Sequence, residues 1–260
     1  MAPETREVLP VVSILMPAFN AEATLAEAVA SVQAQSFQAW ELLIADDGSL
    51  DGTYAVAADL AGHDTRIRIV RHDTRQGAAA ARNTALATAR GRYVAFLDAD
   101  DLWRPDKLTR QIDFMRDTGA ALTFSAYWRA PIAAWGTMGA PAGRVIGVPP
   151  AVDRQTLMQC NVIGCLTGMY DREILGGCPM PALPVCEDFA LWLEILEQTD
   201  RARGLNEPLA IRRVRDGSLT SHRMQAMGGL WRMYRQHFGL GIAQSLWFCT
   251  NHLLRRLGRG

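Results

Sequence analysis

For its first 125 residues the chain alternates between two hydrophobic periods. Val11-Val12-Ser13-Ile14-Leu15-Met16 is a short apolar run that predicts a strand, stopped by Pro17. Leu25, Ala28, Val29 and Val32 then recur at helical spacing, with Thr24 placed as the N-cap. Glu41-Leu42-Leu43-Ile44-Ala45 predicts a second strand that ends in Asp46-Asp47-Gly48-Ser49, and a helix follows from Thr53 to Leu60. Ile67-Arg68-Ile69-Val70 predicts a third strand. Gly77 opens an alanine-rich helix that reaches Ala89 and is closed by Gly91. Tyr93-Val94-Ala95-Phe96-Leu97 reads as a buried strand. Pro105 to Arg116 reads as a helix with proline in its first turn, and Ala121 to Ser125 as one more strand. This alternation predicts an α/β fold with a doubly wound, mostly parallel sheet flanked by helices. In such sheets ligands bind beyond the carboxyl ends of the strands.

The pattern changes near residue 126. Ala130 to Pro150 is rich in Gly, Pro and Ala and reads as a long loop, a feature that in compact domains is usually functional or disordered. Leu191, Ile195 and Leu196, with Trp192, then form an apolar helix face. Glu187 and Asp188 stand at the start of that helix, where the dipole favours anions and where simple capping is the plainer explanation. Trp192 reads as a core residue, with stacking on a ligand ring as the rarer use.

A second change follows Asp216, after which the chain contains no Asp or Glu. Arg223, Arg232, Arg235, Arg255, Arg256 and Arg259 are interleaved with Leu230, Trp231, Met233, Tyr234, Phe238, Leu246, Trp247, Phe248, Leu253 and Leu254. Such a segment fits an anionic membrane surface. It equally fits helices packed on the domain with their arginines in water, and both readings stay open. Leu240 to Leu254 is too short to span a bilayer. The two breaks divide the chain into 1–125, 126–225 and 226–260.

Composition narrows the class. The chain has 260 residues, of which 49% are hydrophobic, enough for one sizeable core. Net charge is zero, which argues against a nucleic-acid binder. Lys107 is the only lysine among 27 basic residues, a bias with no functional meaning. The five cysteines are odd in number and form no C-x-x-C pair. That fits a reduced, cytoplasmic compartment and argues against zinc. The polar start, Met1 to Glu7, has no signal-peptide core.

The chemistry concentrates where the fourth strand ends, in Phe96-Leu97-Asp98-Ala99-Asp100-Asp101. Clustered carboxylates at a buried strand end resist desolvation without a counter-charge. A divalent cation supplies one, and Mg²⁺ or Mn²⁺ commonly bridges such oxygens to substrate phosphates. A solvated loop with an aspartate capping the helix near Pro105 is the plainer alternative. Asp46 and Asp47 form a second acidic strand end on the same rim. Two such ends together favour a metal–diphosphate site.

In chain order these residues resemble the family 2 inverting glycosyltransferases, which have the GT-A fold. The signatures are Pro17-Ala18-Phe19-Asn20, Asp46 through Thr53, Gly77 through Ala81-Arg82-Asn83, Asp98-Ala99-Asp100-Asp101 and Glu187-Asp188. Asn161 through Thr167, Glu187 through Leu193, Gly204 through Ala210 and Arg213 through Ser221 look like the teichuronic-acid biosynthesis type. The resemblance implies a Rossmann-like mixed, mostly parallel sheet. Residues 1–125 would be its nucleotide-sugar-binding half and 126–225 its acceptor-binding half, with basic amphipathic helices from 226 to 260. It implies transfer of a sugar from a nucleotide-diphosphate sugar, UDP-sugar by default, to a saccharide or lipid-linked acceptor in surface polysaccharide biosynthesis. Location would be cytoplasmic, peripheral on the inner face of the cytoplasmic membrane.

Site roles are implied in the same way. Asp47 would pair with uracil in a pocket of Pro17, Phe19 and Asn20, with Gly77 and Ala99 also on the nucleotide. Asp98 and Asp100 would hold Mn²⁺ or Mg²⁺, and Arg82 would add positive charge near the diphosphate unless it is a surface arginine. Asp188 would be the general base, with Glu187 its rival or orienting neighbour. His222 could reach the metal, although the family pattern near it has asparagine. The Gln-x-x-Arg-Trp motif and spanning helices of processive polymerases are missing, which implies one sugar per binding event. Two rivals are a non-catalytic nucleotide-sugar scaffold and a nucleotidyltransferase. The latter usually carries a glycine-rich basic loop where this chain has Pro17 to Asn20.

Overall fold

The structure is a computed structural model and describes residues 9–131, 143–214 and 227–257. Strands β1 (Val12–Ala18), β2 (Trp40–Asp46), β3 (Ile67–Arg71) and β4 (Tyr93–Phe96) lie in the order β3-β2-β1-β4, all parallel. Their crossovers are α1 (Leu25–Gln33), α2 (Thr53–His63) and α3 (Ala78–Ala87). β1 and β2 are covered on both faces, as continuous apolar runs require. Alternation along β1 sends Val12, Ile14 and Met16 into a core shared with Leu25, Ala28, Val29 and Val32 of α1. Leu15 faces the opposite core with Ala79, Ala81 and Ala85 of α3.

The sheet then becomes mixed. β9 (Met169–Asp171) runs antiparallel between β4 and β6 (Leu122–Pro131). β6 pairs parallel with β10 (Ala202–Val214), which carries β5 (Leu102–Trp103) antiparallel on its far side. Two short strands, β7 (Arg144–Ile146) and β8 (Ala151–Val152), pair with β6 and β10. The later helices are α4 (Lys107–Thr118), α5 (Arg154–Gln159), α6 (Arg172–Leu175), α7 (Glu187–Gln198), α8 (227–237) and α9 (Ile242–Leu257). This is the expected α/β architecture: a mixed sheet, parallel through β1 to β4 and between β6 and β10, flanked by helices, with β5, β7, β8 and β9 antiparallel.

Several local expectations need correction. Pro17 does not stop β1, which runs on to Ala18. Odd-numbered residues of β1 turn their polar groups toward β4, whose pairing ends at Leu15 with Phe96. The missing N–H of Pro17 therefore falls where no ladder bond is available. Thr24 occupies the N-cap position of α1, but its side chain accepts no capping bond and donates to the Ala21 carbonyl instead. α3 ends at Ala87 with Thr88 as its cap, so Gly91 does not close it. Gly91 is small because a Cβ there would stand 2.6 Å from the Ser13 nitrogen. The predicted loop from Ala130 contains β7, and β10 was not foreseen at all.

The C-terminal helices pack on the domain. Leu230, Met233, Tyr234 and Cys249 belong to the same core cluster as Phe189 and Trp192 of α7. The Tyr234 hydroxyl donates to the Met158 carbonyl at 2.5 Å. Trp192 is fully buried, edge-on to Phe96 at 5.4 Å, which makes it core rather than a ligand platform.

Gly91→Ala forces a methyl against β1 backbone that no rotamer change relieves. Urea unfolding is expected to show a loss of about 1–3 kcal/mol through the midpoint, with the slope unchanged.

Candidate active site

The carboxyl ends of β1, β2 and β4 and the first turn of α7 enclose a cleft of about 470 Å³. Pro17, Ala18, Phe19, Asn20 and Ala21 form one wall, and Asp47 and Arg75 form the next. Ala78 and Arg82 of α3, the Asp98-Ala99-Asp100 turn and Glu187 complete it. Of the residues singled out in the sequence, Pro17, Phe19, Asn20, Asp47, Arg82, Asp98, Ala99, Asp100 and Glu187 meet here. Gly77 and Asp188 are chain neighbours of the lining residues Ala78 and Glu187 and are not part of the lining.

The β1 and β2 loops are tied together. Asn20 adopts φ +48, a left-handed conformation that asparagine tolerates. Its N–H donates to Ser49 Oγ at 3.0 Å and its Oδ1 accepts from the Leu50 N–H at 3.0 Å. The Ala21 N–H donates to Thr53 Oγ1 at 2.7 Å. Phe19 carries the Arg75 guanidinium 4.2 Å above its ring.

The two aspartates that end β2 diverge. Asp46 accepts from the Ser49 N–H at 3.2 Å and pairs with Arg71 at 3.1 Å, which holds the turn. Asp47 accepts three bonds: from His72 Nδ1 at 2.8 Å, the Gln76 N–H at 2.8 Å and the Gly77 N–H at 2.7 Å. Burial alone would raise its pKa, but these donors outweigh it and hold the carboxyl below its usual range. Gly77 reaches this bond with φ +98, which favours glycine. Two of the three bonds fall on Oδ1, so Oδ2 keeps a lone pair for a further donor.

The three aspartates after β4 are sorted as well. Asp101 turns inward and accepts from the Arg213 N–H at 2.8 Å. Burial, with Asp98 and Asp100 nearby, pushes its pKa well up. Asp98 and Asp100 stay on the cleft wall. Among the described residues no three His, Cys, Asp or Glu side chains converge as a protein-only metal site. His222 lies outside the described residues.

Arg82 is not a surface arginine: it reaches the cleft wall with its charge shared between two carboxylates. It is buried, and its two terminal nitrogens split between Asp98 Oδ1 at 2.5 Å and Glu187 Oε1 at 3.1 Å. Burial works against its charge; Cys165, Asp98 and Glu187 more than offset that and raise its pKa. Asp188 follows Glu187 in the first turn of α7. Removal from water, and then Glu187 beside it, push its pKa up to about 6, with Arg82 pulling the other way.

Two participants were missed in the sequence, and a third, Asn83, was part of a signature but carried no role. His72 bridges Asp47 and Thr84. Arg75 covers Phe19. Asn83 both donates to the Met180 carbonyl at 2.9 Å and accepts from its N–H at 2.7 Å, pinning the segment that leads to α7. The signal for Asn83 was present, as an amide inside an alanine helix. His72 carried none, because its partners lie 25 and 12 residues away.

Arg82→Met leaves two carboxylates facing each other without their shared cation. Unfolding is expected to show a loss of about 3 kcal/mol or more, the size seen when one partner of a buried pair is removed. Arg82→Lys should recover only part of it, because one ammonium cannot reproduce the two-armed geometry. Equal stability of the parent and Arg82→Met would remove Arg82 as the organising charge.

Comparison with known proteins adds an independent line. The model of the Glycosyl transferase family 2 matches residues 13–142. TuaG of Bacillus subtilis, assigned to teichuronic acid biosynthesis as a glycosyltransferase, is 36% identical over 252 residues, covering 95% of this chain and 98% of its own. WfgD of Escherichia coli, a UDP-Glc:alpha-D-GlcNAc-diphosphoundecaprenol beta-1,3-glucosyltransferase, is 36% identical over 189 residues, covering 73% and 71%. Among solved structures, Staphylococcus aureus TarS 1-349 in complex with UDP-GlcNAc superposes with a TM-score of 0.70 at 18% identity, covering 95% of this chain and 72% of that one. Mannosyltransferase PcManGT from Pyrobaculum calidifontis, in complex with GDP-Man and Mn²⁺, gives 0.68 at 17% identity, covering 93% and 70%. At these identities the structural likeness is one of fold alone.

Proposed function

The chain belongs to glycosyl transferase family 2 and is a glycosyltransferase of GT-A fold, and we propose that it moves one sugar from a UDP-sugar, with inversion, to a saccharide or lipid-linked acceptor. The observation that carries this reading is the Arg82 bridge. It joins a carboxylate of the Asp98-Ala99-Asp100 turn to Glu187, next to a carboxyl whose pKa is about 6. A donor-side acid and an acceptor-side base are thereby held in one rigid unit. A nucleotide-sugar scaffold needs no such base, and the family rules out the nucleotidyltransferase reading.

Residues to 125 form the donor half and 126–225 the acceptor half in this reading. Uracil would lie against Pro17 and Phe19, beside Asn20, with the remaining acceptor site of Asp47 on its ring N–H. Asp98 and Asp100 would hold a divalent cation, Mn²⁺ or Mg²⁺. The donor set fits: two cleft-wall carboxylates on one turn, with no third acid converging on them among the described residues, suit an ion that completes its shell with diphosphate oxygens and water. When bound, the ion supplies positive charge for the departing diphosphate.

Asp188 acts as general base. It takes the proton from the acceptor hydroxyl as that oxygen attacks the anomeric carbon on the face opposite the diphosphate. A carboxylate raised to about 6 is still ionised at neutral pH and is a stronger base than an ordinary one. Glu187, fixed by Arg82, orients the acceptor. The name of the WfgD relative supports a lipid-linked acceptor. Five cysteines without a disulfide fit a cytoplasmic site. Among the described residues no helix is long and apolar enough to cross a membrane, which fits peripheral attachment to the inner face.

Asp188→Asn is expected to lower kcat by about 10²–10⁴ while leaving donor affinity unchanged. The base works ionised, so in the parent log kcat/KM should fall with unit slope as pH drops through about 6 rather than 4, and stay level above. A profile that is flat through pH 6 removes Asp188 from the role.

UDP should raise the thermal midpoint in the presence of Mn²⁺ or Mg²⁺ and not in EDTA. Asp100→Ala should abolish the metal-dependent part, and a shift indifferent to metal would overturn the cation site.

A further inference from the structure

Helix α9 presents its most apolar side to solvent. Toward the domain it turns Ser245, Cys249 and His252, all buried. Outward it turns Ile242, Leu246, Trp247, Leu253 and Leu254, which are between 45% and 61% exposed. At 3.6 residues per turn these five fall within an arc of about 140°, which also holds the exposed Ala243 and Thr250. A surface helix of a domain that meets only water shows the reverse arrangement. Gln244, Asn251 and Arg255 form a separate polar strip beside the arc, and Trp247 borders it. Arg232 is exposed on the preceding helix.

We propose that this arc of α9 is a seat on an anionic lipid surface, sunk to the depth of its five apolar side chains with α9 parallel to the bilayer plane. Three observations favour lipid over other covers. The chain beyond Asp216 has six arginines and no acid, which matches a negative surface. A second copy of the chain seated on this face would bring its own Arg255 against the polar strip that carries this one, a like-charge contact. An indole at the border between apolar and polar arcs is where an interfacial tryptophan sits.

The position also suits the chemistry. His252, on the inner side of α9, stands 5.8 Å from the ring of Phe189, the residue after Asp188. A bilayer under α9 is therefore two side chains from the start of the base-bearing helix. The inference rests on the reading of the acceptor as lipid-linked and gives that acceptor a surface from which to be presented.

The test is flotation of the full chain with phosphatidylglycerol-containing vesicles and with pure phosphatidylcholine vesicles, at low and high salt. The parent is compared with Leu246→Glu/Trp247→Glu, whose positions are exposed and away from the cleft; unchanged thermal unfolding establishes that the variant folds. The expected result is salt-sensitive binding of the parent to the anionic vesicles, with partitioning lowered about tenfold or more in the variant. Equal flotation of both chains, or no flotation of the parent, overturns the proposal. So does a parent dimer that becomes monomeric in the variant without vesicle binding, since a second copy would then be the cover. Transfer to a lipid-linked acceptor in detergent separates the two readings. A chain that floats but transfers nothing to such an acceptor overturns the acceptor reading. One that transfers but does not float overturns the lipid seat alone.

Discussion

One buried guanidinium organises this molecule. Arg82 lies in the third turn-forming crossover, α3, yet its two partners come from the end of β4 and the start of α7, 16 and 105 residues away. A buried cation without partners costs several kcal/mol, so these segments must arrive together or the helix cannot dock. The alanines of α3 make the approach possible. Ala79, Ala81 and Ala85 are buried against the sheet and let the helix axis come close enough for Arg82 to reach across. Asn83, the next residue, fastens the segment before α7 with a pair of bonds to Met180. The N-terminal end of the same helix is fixed by Asp47 through the Gly77 N–H. One ten-residue helix thus sets the spacing between the loop after β2, the acidic turn and α7.

The acids were legible in the sequence as a group, but not individually. Strand ends in a doubly wound sheet share a rim, so Asp46, Asp47, Asp98, Asp100 and Asp101 could be assigned to one region from period alone. Which of them face the cleft depends on partners that no local pattern reveals. Asp46 is taken up by Arg71 and the Ser49 N–H, and Asp101 by the backbone of Arg213, 112 residues later. Arg213 also donates to the Asp100 carbonyl and pairs with Glu27, so a strand from the second half locks the acidic turn onto α1. The acids left on the cleft wall are themselves tied in from a distance, Asp47 by His72 and two backbone N–H groups and Asp98 and Glu187 by Arg82.

The fold shows the same division. β1 to β4 and their helices were readable because each is a clean apolar run or a clean helical period. β10 was not, although it has thirteen residues. Its register shifts between Leu205 and Ala210, around Asn206-Glu207-Pro208, and its arginines break the apolar alternation. β9 is only three residues long and is held as a strand by neighbours on both sides rather than by its own composition. Lys107 shows why composition alone misleads. The solitary lysine is fully buried, 4.2 Å over the Trp103 ring with Gln111 as its bonding partner, and burial draws its pKa down to about 7.

The C-terminal helices could be read two ways from sequence, as a membrane element or as packing against the domain, and their architecture explains why. Leu230, Met233 and Tyr234 of α8 complete the core around α7, with Phe189 edge-on to Tyr234 at 6.3 Å. Phe189 is the residue that follows Asp188, so the wall that fixes the first turn of α7 is supplied by the last part of the chain. Removing residues from about 226 onward would uncover Phe189 and leave the Met158 carbonyl without the Tyr234 hydroxyl. The loss of membrane binding in such a truncation could not be told from the loss of the site itself. Only the outward arc of α9 is separable, because about half of each of its side chains faces water and none belongs to the core cluster. In this chain the outward arc of α9 and the wall behind the first turn of α7 belong to the same short segment, and only substitutions confined to one face can distinguish them.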